Sequence, residues 1–280
     1  MLIIFLLGEG ITMFSKFRIF SHLENYKKAI LKTKAKGTFR SQDYSHILPK
    51  DEIEENLLQT DFKEKLHATF SELKLKNQIH RYFHHLNSSQ AFALNLFAPI
   101  IEENLYQDFL GKKIGNVSKA EFEHIEENSF EMDENRKTNF DFYICADKKN
   151  YFFEVKYTED SFGKAKNDTS HQEKYNRIYK AELEKICSKN IDEKRFLKEY
   201  QLWRNLCHVQ YGEVYFVFPS FRTDLKVKVE EAKYFLKVEY QKSVFVLEID
   251  DFVKRMTGSN SEKISAHYKE FKKKYLDFLV

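Results

Sequence analysis

Apolar positions recur at helical spacing over Ser21–Leu31 and again over Asp51–Leu75, set among charges, so the first third of the chain predicts an irregular helical region. The pattern changes at Asn87. There Asn-Ser-Ser-Gln leads into Ala91-Phe-Ala-Leu-Asn-Leu-Phe-Ala-Pro-Ile-Ile101, apolar around most of a helical circumference. This predicts a buried helix capped by Ser88 or Asn87. Ala120–Ile125, Thr138–Cys145 and Asn150–Tyr157 then read as strands, with a connection rich in Glu and Asn after the first. Helical spacing returns over about Thr169–Ser188 and Glu193–Cys207. Val214-Tyr-Phe-Val-Phe218, stopped by Pro219 and Ser220, predicts a buried strand. A helix at Val227–Phe235, a strand at Ser243–Ile249 and a Lys-rich amphipathic helix end the chain.

The order helix, three strands, helix, strand predicts an α/β fold, a mixed β-sheet flanked by helices with additional N- and C-terminal helices. Neither a repeat nor a low-complexity linker divides the sequence, which therefore reads as one continuous domain in three segments. These are an N-terminal helical region over 1–86 packed on the core, the core itself over 87–220, and a helix-strand-helix extension over 221–280.

Composition narrows the class without naming a function. With 280 residues, 42% of them hydrophobic, the chain can bury a sizeable core and is not disordered. The 16% aromatic content comes with many Lys, Asn and Ile and few Gly or Pro, a profile that coding bias also produces, so it carries no functional weight. A net charge of +3, from 46 basic and 43 acidic residues, means that any nucleic-acid groove must be local. Cys145, Cys187 and Cys207 are odd in number, widely spaced and without a Cys-x-x-Cys pair, which excludes a disulfide framework and a zinc ribbon and points to a reducing cytoplasm. The apolar run Met1–Gly8 is too short to span a bilayer and lacks a basic leader. It reads either as a short buried strand or as an extension upstream of a start at Met13. His80, His84 and His85 include an i, i+4 pair, but with no acid in a zinc-protease pattern they read as packing or surface residues.

The segment that carries chemistry is Thr138-Asn-Phe-Asp-Phe-Tyr-Ile-Cys, Ala-Asp-Lys-Lys, Asn150-Tyr-Phe-Phe-Glu-Val-Lys-Tyr157, which predicts a β-hairpin with a polar four-residue loop. If Cys145 pairs with Asn150, antiparallel register sets Asp141 opposite Glu154 and Asn139 opposite Lys156. Alternation then puts Asp141, Glu154 and Lys156 on one face. Opposed Cβ atoms lie roughly 4.5–5.5 Å apart, so two carboxylates there repel unless they share a cation. Mg²⁺ prefers such oxygen ligands. Lys156 beside them could orient or deprotonate an attacking water, or neutralise charge growing on a phosphate. The bland alternative is an exposed hairpin face with scattered charges.

Asp141, twelve intervening residues and then Glu154-Val155-Lys156 resemble the signature of the PD-(D/E)XK nuclease superfamily, and the predicted order of elements resembles its core. The likeness covers roughly 87–220. It extends to Asn87–Phe97, Arg136-Lys-Thr-Asn-Phe-Asp141, Glu154-Val-Lys-Tyr-Thr-Glu-Asp-Ser-Phe-Gly163 and Tyr200-Gln-Leu-Trp-Arg-Asn205, which look like a bacterial, type II restriction-endonuclease-like branch. Phe140 stands where the signature has Pro. The resemblance implies a restriction-endonuclease-like fold, Mg²⁺ (with Mn²⁺ as a substitute) held by Asp141, Glu154 and the Val155 carbonyl, and Lys156 assisting the nucleophilic water. It also implies a further acid from the first core helix, for which Glu102 is the candidate and Glu103 the alternative. Double-stranded DNA is the implied substrate, a homodimer the implied assembly, and a methyltransferase encoded nearby the implied companion.

Around this centre, Lys164, Lys166, His171 and Lys174 follow the hairpin and could neutralise phosphates or form a solvated charge run. Gln201, Arg204 and Asn205 share a helix face and could bond phosphates or the hairpin acids, or belong to a structural network. Two other functions remain open at this point: a repair, recombination or mobile-element nuclease of the same fold, and a catalytically silent DNA-binding module, although binding alone has no need of paired carboxylates.

Overall fold

The computed structural model describes residues 7–127, 129–131 and 137–279. Met1–Leu6, most of the segment read as a short strand or upstream extension, and Arg136 of the likeness motif lie outside the described residues.

In chain order the elements are α1 (Leu7–Tyr26), a π-turn at Lys27–Leu31, β1 (Gly37–Phe39), β2 (Gln42–Tyr44), α2 (Lys63–Leu75), α3 (Ser89–Glu102) and α4 (Tyr106–Leu110). There follow β3 (Val117–His124), β4 (Phe140–Ala146), β5 (Lys149–Val155), α5 (Thr169–Lys174), a π-turn at Tyr175–Tyr179, α6 (Lys180–Ile186), α7 (Glu193–Lys198) and α8 (Tyr200–Leu206). β6 (Gly212–Phe218), α9 (Thr223–Lys233), α10 (Val238–Gln241), β7 (Val244–Glu248), α11 (Asp250–Thr257) and α12 (Glu262–Tyr275) complete the chain.

These elements form two compact units, residues 1–113 with 249–280, and residues 114–248, where the sequence suggested one continuous domain cut at 86 and 220. The first unit is helical. Its α3 is capped as expected by Ser88, whose hydroxyl accepts the Ala91 N–H at 3.4 Å. Phe92 of α3 packs on Phe271 and Tyr275 of α12 at ring distances of 5.2 and 4.9 Å, which explains why an element apolar all round belongs to this unit. The β1–β2 hairpin is an addition that short polar strands did not announce. His80, His84 and His85 sit in a run of turns, so no helical i, i+4 face exists there, and burial pushes the His85 imidazole down to about 4.

Lys274 is wholly buried in this unit, donating to the Asn56 carbonyl at 2.6 Å and to Asn56 Oδ1 at 2.8 Å. Burial pushes its pKa down to about 7, against the pull of Glu270 and Glu55. A folded value below the unfolded one means that the unfolded chain binds the extra proton, so stability rises with pH above about 7. In urea titrations at pH 6.5, 7.5 and 8.5, the stability of the wild type relative to Lys274→Met is therefore expected to climb by up to about 1.4 kcal/mol per pH unit. Parallel pH profiles for the two proteins would refute this.

The second unit is built on a five-stranded mixed sheet of order β3-β4-β5-β6-β7, antiparallel across the first three strands and parallel from β5 to β7. Gly212 opens β6 where a Cβ would stand 2.3 Å from the Asn150 carbonyl oxygen, so only glycine lets the two strands start side by side. One sheet face carries Tyr143, Phe152, Val214, Phe216 and Phe218 into a core shared with Tyr179, Leu183, Leu202, Trp203 and Leu206 of the α5–α8 segment. Asp192 caps α7 by accepting the Arg195 N–H at 2.7 Å, and a non-helical Glu199 separates α7 from α8. The first N–H groups of α8 are met by the loop after β5, Tyr200 N–H bonding the Gly163 carbonyl and Gln201 N–H the Phe162 carbonyl, both at 3.0 Å. That loop thereby sets α8 against the end of β5.

Candidate active site

β4 and β5 pair with Cys145 opposite Asn150 and Phe142 opposite Phe153, the register read from the sequence. The turn is tighter than expected: Ala146 pairs with Lys149, and the connection is only Asp147-Lys148, with φ of 47° and 63°. Two residues at positive φ make the turn type whose twist matches the strands. Continuing the register by one residue sets Asp141 against Glu154. Here the main-chain ladder stops and the side chain takes over, Asp141 Oδ2 accepting the Val155 N–H at 2.6 Å.

Glu154 and Asp141 share the sheet face that packs on α8, and α8 holds the centre. Asn205 donates its amide to Glu154 Oε2 at 2.8 Å. Gln201, one turn earlier, accepts from Lys156 Nζ at 2.9 Å, while the Lys156 N–H bonds the Val217 carbonyl of β6 at 2.9 Å. Lys156 Nζ stands 2.7 Å from Glu154 Oε1 as a buried ion pair. Glu154 is 1% exposed and Lys156 8%, whereas Asp141 is half-buried and forms the open side of the cluster.

The electrostatics follow from this crowding. Burial and then the Glu154 carboxylate push the Asp141 pKa well above the ordinary range, against Lys156 and the Val155 N–H. For Lys156, burial pulls downward, but Glu154, Glu159 and Asp141 outweigh it and the net displacement is upward. The ammonium is thus the charge that makes two neighbouring carboxylates tolerable.

Among the described residues no three His, Cys, Asp or Glu side chains gather as a metal site, so the sheet offers two carboxylates. Glu102 is the exposed last residue of α3, and Glu103 pairs with Lys263 at 2.5 Å; both belong to the helical unit. Lys164 and Lys166 are exposed. His171 is bonded through Nδ1 to Asp168 at 2.6 Å, and Lys174 lies 5.8 Å from the Tyr179 ring centroid. Gln201 faces Lys156, as described. Arg204 turns to another partner. A cavity of about 490 Å³, lined in part by Tyr26, Glu55, Asp61 and Glu270, lies in the helical unit and includes none of the sheet's site residues.

Arg204 pairs with Glu131 at 3.1 Å, in a network the sequence did not disclose. Glu131 is fully buried, accepts the Thr138 N–H at 2.5 Å, and is bonded by the Tyr179 hydroxyl, with His208 Nε2 3.9 Å away. It ties the segment leading into β4 to the same helix that holds Glu154 and Lys156. In sequence Glu131 is one acid in a Glu- and Asn-rich connection, and no local signal sets it apart.

A five-stranded mixed sheet flanked by helices, with a carboxylate pair and a lysine at the end of its hairpin, is a restriction-endonuclease-like α/β protein. Over residues 21–276 the chain matches the family described as Restriction Endonuclease associating with ARP, and it belongs to that family. The family is one of restriction endonucleases, nucleases whose substrate is DNA. No curated protein and no solved structure matches the chain. None of the described helices is long and apolar enough to cross a membrane.

Proposed function

We propose that this protein is a PD-(D/E)XK endonuclease that hydrolyses phosphodiester bonds of double-stranded DNA with Mg²⁺ as cofactor, as a type II restriction enzyme does. The observation that carries the reading is the opposition of Asp141 and Glu154 at the end of the hairpin, with the Lys156 ammonium against Glu154. Two acids forced together, one of them half-open, suit a hard divalent cation better than they suit a stable core. The residues therefore fit the ion. Asp141, Glu154 and the Val155 carbonyl would hold it, and when bound it would supply Lewis-acid polarisation of a phosphoryl oxygen and lower the pKa of water.

The chain's own residues do the rest. Asp141 and Glu154 would hold the cation at the open end of the hairpin. Lys156, clamped between Glu154 and Gln201, is a positioned ammonium that orients the attacking water and offsets negative charge growing on phosphorus. Asn205 and Gln201 act as positioning residues by holding Glu154 and Lys156 in fixed rotamers. On this reading the exposed Lys164 and Lys166, with His171 and Lys174, approach the DNA backbone, and a homodimer cuts both strands in the cytoplasm beside a cognate methyltransferase.

Incubation with plasmid DNA is the test. Mg²⁺ or Mn²⁺ is expected to give discrete fragments, EDTA none, and Lys156→Ala at least a hundredfold slower cutting, on the scale of losing one electrostatic contact to the transition state. Intact plasmid across sequences and both metals would overturn the proposal.

A further inference from the structure

The net charge of +3 conceals an asymmetry. Between Asn25 and Lys50 the chain carries seven cations, Lys27, Lys28, Lys32, Lys34, Lys36, Arg40 and Lys50, and a single acid, Asp43. That segment is +6, so all other residues together are −3. Such concentration on a chain with no overall excess marks a surface for a polyanion.

The structure shows how these charges are displayed. Lys27 is 1% exposed and serves as an internal staple, its Nζ donating to the Ala35 carbonyl at 2.6 Å and to the Ile47 carbonyl at 2.8 Å. The loop it fastens carries Lys32, Lys34 and Lys36, all exposed. At the loop's end Gly37 N–H bonds the Ile47 carbonyl at 2.9 Å, in a space where a Cβ would stand 2.1 Å from the Leu48 carbonyl oxygen. The chain then enters the β1–β2 hairpin, whose tip is Arg40-Ser41, both at positive φ. Thr38 occupies Asp43 with a hydroxyl hydrogen bond of 2.9 Å, and Lys28 pairs with Glu24. Among the described residues no ion pair is formed by Lys32, Lys34, Lys36, Arg40 or Arg81.

The hairpin that follows the loop rests on half-buried rings. Phe39 meets Tyr82 edge-on at 5.1 Å and His85 at 5.3 Å. Arg40 lies 5.1 Å from the Phe39 centroid and Arg81 4.5 Å from that of Tyr82. A guanidinium resting on a ring keeps its planar fork ordered for bidentate contact with phosphate. A fastened loop of unpaired lysines that leads into a hairpin with a ring-backed arginine at its tip is thus preorganised for a strand of phosphates.

We propose that the face formed by Lys32, Lys34, Lys36, Arg40 and Arg81 is a second DNA-binding surface, which grips the phosphate backbone of duplex DNA without reading its sequence. The proposal rests on the nuclease reading for its choice of DNA over other polyanions. The function is to concentrate the enzyme on DNA before a target site is reached, a task for phosphate contacts because they are common to every sequence.

The test is binding of the full chain, in EDTA, to labelled 30-base-pair duplexes of unrelated sequence over a range of NaCl concentrations. Each phosphate contact contributes about 0.9 to the slope of log K against log salt. The combined variant Lys32→Ala, Lys34→Ala, Lys36→Ala and Arg40→Ala is expected to lower that slope by about 3 to 4, and to weaken binding at low salt at least tenfold for every duplex. The charge-preserving set Lys32→Arg, Lys34→Arg, Lys36→Arg and Arg40→Lys is expected to keep the wild-type slope, which separates lost charge from lost folding. An unchanged slope in the alanine variant overturns the proposal, as does tighter wild-type binding to anionic phospholipid vesicles than to duplex at equal salt. Plasmid cleavage by the wild type, measured alongside, is independent of this outcome: cutting with an unchanged slope removes the surface and leaves the nuclease, and a reduced slope without cutting does the reverse.

Discussion

Asp141→Asn is expected to melt at a higher temperature than the wild type when no divalent cation is present, and to have lost DNA cleavage. The two results have one cause. Burial and the Glu154 carboxylate push the Asp141 pKa up, so the folded, metal-free protein disfavours the ionised carboxylate. A folded pKa above the unfolded value gives a contribution that is complete at low pH and lost as pH rises through the folded value. An amide in place of the carboxylate removes the repulsion, and its carbonyl oxygen can still accept the Val155 N–H. Relief of this kind is worth about 1–3 kcal/mol, a gain of roughly 5 °C in a chain of this size. The same substitution removes one of the two carboxylates proposed to hold the cation, and cleavage is expected to fall on the order of 10³-fold or more. Added Mg²⁺ should raise the melting temperature of the wild type, since a ligand that binds only the folded state stabilises it, and should leave Asp141→Asn unmoved. Scanning calorimetry with and without Mg²⁺, beside a plasmid assay, reads all of this. Full cleavage by Asp141→Asn, or a wild-type transition indifferent to Mg²⁺, is the result that defeats the assignment.

Glu131→Gln should be the most damaging of the single substitutions away from the hairpin. Burial by itself raises the Glu131 pKa, but Arg204, His208, the Tyr179 hydroxyl and the Thr138 N–H together hold it below the ordinary carboxylate value. The amide keeps the shape and leaves Arg204 in a buried site without its counter-charge. Breaking a buried pair from one side costs about 3–5 kcal/mol, or roughly 10 °C at about 2–4 °C per kcal/mol. A depressed folded pKa is a contribution present above about pH 4.3 and lost as pH falls through the folded value. The difference between wild type and variant in guanidinium unfolding is therefore expected to be large at pH 7 and to shrink toward pH 3. Equal stabilities at pH 7 would show that the network contributes nothing. Because α8 carries Gln201 and Asn205 as well as Arg204, a smaller fall in cleavage rate should accompany the loss of stability.

How far the sequence could be read depended on whether the relevant interaction was local. The strands β3 to β7 and the long helical stretches came within a few residues of their expected positions, because each has a periodicity of its own. Where the sequence reading failed, something distant or small decided. The four-residue loop became two residues because Asp147 and Lys148 accept positive φ, which a count of polar residues does not reveal. The C-terminal helix became α11 and α12, broken at 258–261. The extra hairpin at β1–β2 is held from outside, by Lys27 and by the Ile47–His85 bridge.

For the site, the hairpin register followed from the sequence alone. Fixing one pair, Cys145 with Asn150, fixes every other by a constant sum, and the two-residue period then determines which side chains share a face. That is why the sequence alone places Asp141 and Glu154 together. Tertiary structure decided what surrounds them: Asn205 on Glu154, Gln201 on Lys156, and Arg204 on Glu131. Those partners come from 45 to 73 residues away in the chain. No periodicity reaches so far. Only the packing of α8 onto the sheet, set by the burial of Leu202, Trp203 and Leu206, brings them to the carboxylates.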